Sequence, residues 1–227
     1  MEATVRDEKQ QIDGGVGETA LRRIRDDIVT GILLPGKKLK LDALKNQYGA
    51  SVSTLREILS RLASENLVTA EGQRGFEVAA ATADNLREVA DLRLLLESHA
   101  IRLSLAAGDL DWEGRVVSAH HKLSVVEAKL VSGEIERTAQ WVSYDFAFHN
   151  ELISACGSST LLDLHASVFD RFIRYHMLAA SFRGSAVMDD HKALFDLAMR
   201  RDVDGIVSKL TAHIKSGVDH VLQSGRI

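Results

Sequence analysis

From Ala83 to the C-terminus, apolar residues recur with a helical period, and only five short breaks interrupt them. The breaks fall at Gly108, Gly133, Gly157, Gly184 and the "RRD" of 200–202. They divide the stretch into six predicted helices near 84–106, 111–132, 134–155, 159–181, 186–200 and 202–224. With one proline in 227 residues and few β-branched runs, little else can break a helix. This part of the chain must bury its apolar stripes against one another, as an all-α bundle.

The first third reads differently. Residues 1–17 are polar and of mixed charge and are expected as a disordered tail. Leu21, Ile24, Ile28 and Ile32 then keep helical spacing up to Pro35. A short helix follows in "KLDALKNQYG", and a third in "STLREILSRLASENL", where Ser51 and Ser53 are candidate N-caps and Leu55, Ile58, Leu59 and Leu62 form the buried stripe. In "LVTAEGQRGFEVAAA" the period changes to that of two short strands around a Gly-containing turn. The domains expected are therefore 18–80 and 84–226, joined by the short linker "AAATAD".

Composition narrows the class. Apolar residues make up 45% of the chain, enough for a real core. A lone Cys156 excludes a disulfide framework, and no apolar run approaches a membrane span or a signal core, so the expected location is the cytoplasm. The net charge of −4 hides an uneven distribution: residues 37–74 carry seven basic and four acidic side chains. That segment can present a positive patch. All nine histidines follow residue 98, so the two halves do different chemistry.

Three helices and a Gly-tipped hairpin make a winged helix-turn-helix, whose third helix enters the DNA major groove. Ser51, Ser53 and Thr54 offer hydroxyls and N–H groups to phosphates or base edges. Arg56 supplies a fork able to read guanine, and Gln73, Arg74 and Gly75 form the tip of the wing. The segment "PGKKLKLDALKNQYGASVSTLREILSRLASENLV…EGQRGFEVA" resembles the DNA-binding domain of the GntR family of bacterial transcription regulators. The likeness rests on the "PG" with basic residues, the "GxS" turn, the "LREIL.RL" helix and the "G-basic-G" wing, and it makes Arg56 the foremost DNA contact. Val52 departs from the family, whose members usually carry Arg after the turn serine. Arg61 is expected to face other helices.

In the second half, "SYDFAFHNEL" puts Asp145 and His149 one helical turn apart on one face. Metal ligation, acid–base chemistry and a satisfied polar pair in a core all remain open on that spacing. The region resembles the FCD effector domain of the FadR subfamily, in its six-helix VanR-like branch. The resemblance is carried by "VADLRLLLESHAIRLS", "YDFAFHNELISACGSSTLLDL" and "DHKALFDLAMRRDVDGIVSKLTAHI". It implies a divalent metal ion held by Asp145, His149, His191 and His213, for which three imidazoles and a carboxylate suit Zn, with Ni or Mn as substitutes. The other histidines, 99, 120, 121, 165, 176 and 220, are expected on the surface or hydrogen-bonded in the core. A small carboxylate effector could take an open metal position, with Arg93 and Arg174 pairing its charge. Ser158 stands where family members often have Asn and is expected at the effector's edge.

The resulting expectation is a homodimer that reads an inverted-repeat operator in double-stranded DNA, responds to a small carboxylate as a repressor, and has no membrane partner. The alternative is a metal-dependent hydrolase with an incidental helix-hairpin. It lacks HExxH, since Asn150 and Glu151 follow His149 and Glu151 points away from His149's face.

Overall fold

The computed structural model describes residues 2–70, 75–134, 139–179 and 182–227, with side chains from Gly15 onward. Contacts divide the chain into two units, Met1–Ala80 and Ala81–Ile227.

In the first unit, helix α1 runs Glu2–Val29 and so extends through the segment expected as a tail. Its buried stripe is Ala20, Leu21, Ile24 and Ile28. The helix ends earlier than Pro35: Gly31 takes φ 81°, and Leu33 N–H folds back onto the Asp27 carbonyl at 2.7 Å. This turn reverses the expectation for Ile32, which is exposed, while Leu33 is buried. Helix α2, Leu41–Tyr48, stops at Gly49 in the left-handed region. Helix α3, Val52–Ser64, buries Leu55, Ile58, Leu59 and Leu62 as the spacing requires. Strands β1, Val68–Ala70, and β2, Phe76–Val78, pair antiparallel in the register Val68 with Val78 and Ala70 with Phe76. Lys38 bridges to Glu77 and adds a third short edge. Leu67, Val68 and Val78 close the core over the helices.

In the second unit the described helices are α4 Ala83–Ala107, α5 Leu110–Val131, α6 Ala139–Ile153, α7 Ser159–Leu178, α8 Ser185–Met199 and α9 Val203–Gln223. Helix α4 packs against α6, α7 and α9, while α5 packs against α6 and α8. The corner between α4 and α5 needs its glycine: a Cβ on Gly108 would lie 2.6 Å from the Trp112 ring. Trp112 is buried there, donates its indole N–H to the Glu151 carbonyl at 2.8 Å, and carries the Arg201 guanidinium 4.5 Å above its ring. Among the described residues no helix is long and apolar enough to cross a membrane.

Candidate functional site

The start of α3 is built from hydroxyls. Ser51 is its N-cap and accepts the Thr54 backbone N–H at 3.2 Å. The Ser51 Oγ lies 2.8 Å from both the Ser53 Oγ and the Thr54 Oγ1. The cap leaves a helix N-terminus ringed with small polar groups, a place suited to phosphate. Arg56 is exposed one turn on and makes no ion pair among the described residues. Arg61 does the opposite, reaching Glu18 at 3.2 Å and Glu65 at 3.7 Å, as expected of a residue turned toward neighbouring helices. Lys37, Lys40 and Lys45 are also exposed in this unit. Gly75 adopts φ 98°, which only glycine takes without strain; Gln73 and Arg74 lie outside the described residues.

The second unit gathers its polar residues inside. Asp145 and His149 come from α6, His191 from α8 and His213 from α9, and all four are buried. Ligand atoms of the three histidines lie within 4.8 Å of one another. Asp145 joins them through His191, whose Nε2 is 3.2 Å from the Asp145 Oδ1. The three imidazole centroids are 4.9–5.5 Å apart. Sequence spacing on one helix thus brought two candidate ligands together, and bundle packing added the others.

Each imidazole is oriented from behind by a carboxylate. His149 donates through Nδ1 to the Glu97 Oε2 at 3.1 Å and His191 through Nδ1 to the Glu127 Oε1 at 2.9 Å, while the His213 Nδ1 lies 3.2 Å from the Asp190 Oδ2 and 3.3 Å from the Arg183 Nη2. An Nδ1 that donates to a carboxylate leaves Nε2 as the lone pair in the neutral ring, as it does for His149, and this is the usual device for a metal-bound histidine. Two of those atoms, His149 Nε2 and His191 Nε2, are buried without a hydrogen-bond partner. Orphaned buried nitrogens facing a carboxylate are what a divalent cation satisfies, and the donor set suits a borderline metal such as zinc. Burial pushes the His149 pKa below its ordinary value despite Glu97, and pushes that of His213 well below, which keeps both rings neutral. Burial also works against the His191 proton, but Glu127 and Asp145 outweigh it and raise that pKa.

Glu97 is the hub of the wider network. Its carboxylate accepts from Arg93 Nε at 2.6 Å and from His165 Nε2 at 2.7 Å, as well as from His149. Burial opposes the charge of Glu97, yet Arg93 and the two histidines hold its pKa well below the ordinary carboxylate value. Arg93 is 1% exposed and is sandwiched against the Phe169 and Phe172 rings at 4.5 and 4.7 Å.

Beside the cluster is a cavity of ≈ 30 Å³. Arg93, Asp145 and His213 reach it together with Trp141, Arg183 and His176. Of the residues expected at the effector, only Arg93 is on its wall. Arg174 is buried elsewhere on α7, and Ser158 is the N-cap of that helix, accepting the Leu161 N–H at 3.2 Å. The residues that the sequence did not single out are Glu97, Glu127, Asp190, Arg183 and Trp141. The i,i+4 spacing of Arg93 and Glu97 was the one visible signal.

Comparison with known proteins agrees with both halves. Residues 17–78 match the family model "Bacterial regulatory proteins, gntR family", and residues 88–216 match "FCD domain". Over 92% of its length the chain is 37% identical to an uncharacterized HTH-type transcriptional regulator, BphR of Paraburkholderia xenovorans, covering 86% of that protein. It is 29% identical to the HTH-type transcriptional repressor GlaR of Escherichia coli over 89% of the chain and 94% of that protein. Among solved structures, E. coli McbR/YncC shares the fold with a TM-score of 0.77 at 18% identity, over 92% of this chain and 97% of that one. The hydrolase alternative falls with these matches. The chain belongs to the GntR family, in its FCD-domain branch, and is a DNA-binding transcription regulator and not an enzyme.

Proposed function

We propose that this regulator is a metal-dependent sensor of a small carboxylate, acting as a dimeric repressor on an inverted-repeat operator. The observation that carries the reading is the convergence of His149, His191 and His213, with Asp145 3.2 Å from the His191 Nε2 and the Nε2 atoms of His149 and His191 orphaned, beside a cavity that Arg93 and Arg183 also line. Zinc fits this donor set, with nickel and manganese as substitutes. When bound, the ion supplies a positive docking point whose remaining positions accept a ligand oxygen. The chain's own residues do the rest. Glu97, Glu127 and Asp190 hold the imidazoles in register, Arg93 offers its second N–H group to an anion, and Phe172, Phe182 and Val187 close the space around it.

On the DNA side, Arg56 is the base-reading contact, with Ser51, Ser53 and Thr54 on phosphates and Gln73, Arg74 and Gly75 in the wing. Repression accords with the similarity to GlaR, described as a transcriptional repressor. The effector must bind the DNA-competent and DNA-incompetent states unequally, since equal affinity shifts nothing.

The test is elemental analysis of untagged protein purified without chelator, beside a His149→Ala/His191→Ala double variant. About one equivalent of metal per chain, lost in the variant, is the expected result. Absence of metal after incubation with zinc, nickel and manganese would refute the metal-dependent sensor and leave the DNA-binding assignment intact.

A further inference from the structure

Two buried donors on the cavity wall lack acceptors among the described residues: Arg93 Nη2 and the indole Nε1 of Trp141. Trp141 is 4% exposed and sits one turn before Asp145 on α6, with its ring edge-on to Phe182 at 5.9 Å. An indole N–H is a neutral donor and cannot accept, and it normally finds a partner when buried. Its counterpart Trp112, equally buried, has one in the Glu151 carbonyl. An orphaned Trp141 N–H on the wall of a ligand cavity therefore calls for a ligand acceptor, in addition to the anion that Arg93 takes.

The charges around the cavity support the same ligand. Glu97, Glu127, Asp145 and Asp190 are four carboxylates in one connected cluster, and Arg93, Arg183 and Lys209 are the three fixed cations paired with them. Imidazoles that hold a metal do so as neutral rings, so with a divalent ion bound these groups carry one positive charge in surplus. Buried charge has to be balanced, so a monoanion completes the site and a dianion overshoots it. The cavity volume of ≈ 30 Å³ is about what two waters fill, so the ligand is short.

We infer that Trp141 is a specificity-determining residue, whose indole N–H selects a short monocarboxylate that carries a second, uncharged oxygen acceptor. This inference rests on the carboxylate-sensor reading above. It goes further in naming the selecting residue and the charge state of the ligand.

The probes are glycolate and propionate, which have the same number of heavy atoms and differ by a hydroxyl in place of a methyl, with malonate as the dianion. Calorimetry on the full-length, zinc-loaded protein is expected to show tighter binding of glycolate than of propionate or malonate. In Trp141→Phe that preference for glycolate over propionate should shrink by about tenfold, the effect of one lost acceptor–donor match. A second readout does not need the variant to fold. The chain has two tryptophans, so an amide–indole NMR spectrum of the wild type carries two indole N–H signals, of which glycolate but not propionate should shift that of Trp141. Unchanged preference in the variant, or an unmoved Trp141 signal, overturns the inference while the carboxylate-sensor reading stands. Preference for malonate overturns the charge argument. Binding of none of the three by metal-loaded protein removes both the inference and the reading beneath it.

Discussion

His191 Nδ1 lies 2.9 Å from the Glu127 Oε1, with both side chains about 1% exposed and on different helices, α8 and α5. A carboxylate so deep in a bundle is costly unless its partner needs it. Here it orients a ring whose other nitrogen faces Asp145 at 3.2 Å. Glu127→Gln keeps the shape but weakens the acceptor and frees the ring to turn. Metal affinity is expected to fall about 10–100-fold, the usual effect of losing an outer-shell partner. Competition with a chromogenic chelator measures it, and an unchanged affinity would make Glu127 a core pair only.

Arg93 and Glu97 test whether the network is held together by charge. Glu97→Ala leaves the Arg93 guanidinium buried and uncompensated, which should destabilise the protein by roughly 3–5 kcal/mol. Replacing both, as Arg93→Met with Glu97→Leu, should recover most of that, because an apolar pair has no charge to desolvate. Urea unfolding of metal-free protein reads both values. If the double variant is no more stable than Glu97→Ala, the cost arises from His149 and His165, which Glu97 also holds.

A cavity prediction follows from Gly217 on α9. A Cβ there would stand 2.9 Å from the His176 Cε1 and 3.7 Å from the Phe172 Cζ, both on the cavity side. Gly217→Ala should push His176 into the cavity, with an overpacking cost of about 1–3 kcal/mol. Metal content should stay at the wild-type value, because none of the proposed ligands is touched. Calorimetric binding of small carboxylates should weaken; metal loss instead would mean that the strain reaches His213, four residues before it.

The fold was legible because its signals were local. The stripe of α3, the Gly49 stop and the breaks at Gly133, Gly157 and Gly184 follow from helical period and left-handed turns that sequence displays directly. Ile32 was misplaced because the turn at Gly31, not Pro35, ends the helix, and a single φ angle decides which of two neighbouring apolar residues faces the core. The candidate quartet emerged from a family resemblance and from Asp145–His149 spacing. The carboxylates behind it did not, since Glu127 lies 64 positions from His191 and a Glu in a helix otherwise reads as solvent-facing. Trp141 was invisible for a related reason: an orphaned N–H is a property of the cavity, not of the residue type.

In the DNA-binding unit, Tyr48 donates to the Asp27 Oδ2 at 2.5 Å. Burial first, and then Asp27, raise the phenol's pKa above its ordinary value of 10.0. The folded state thus disfavours the phenolate. Its contribution is fully present below pH about 10, where the unfolded chain's tyrosine is protonated, and is lost as pH climbs toward the folded pKa. Tyr48→Phe should therefore flatten the fall in melting temperature between about pH 9.5 and 11. Parallel slopes for the variant and the wild type would show that the phenol does not control alkaline stability.

Arg56 and Arg61 both lie exposed on α3 but with different occupations. Arg61 is engaged with Glu18 and Glu65, whereas Arg56 is unpaired among the described residues. A free fork on the helix that enters the groove is available to a guanine edge, at about 1–3 kcal/mol of discrimination. Arg56→Ala should thus cost roughly that much in operator affinity and relax sequence preference, with melting temperature unchanged. Arg61→Ala should do the reverse in part, leaving sequence preference intact and lowering stability by no more than about 1 kcal/mol, as exposed ion pairs do. Fluorescence anisotropy on operator and scrambled duplexes at two salt concentrations separates the outcomes. Equal losses on both duplexes for Arg56→Ala would reassign it from base reading to phosphate contact.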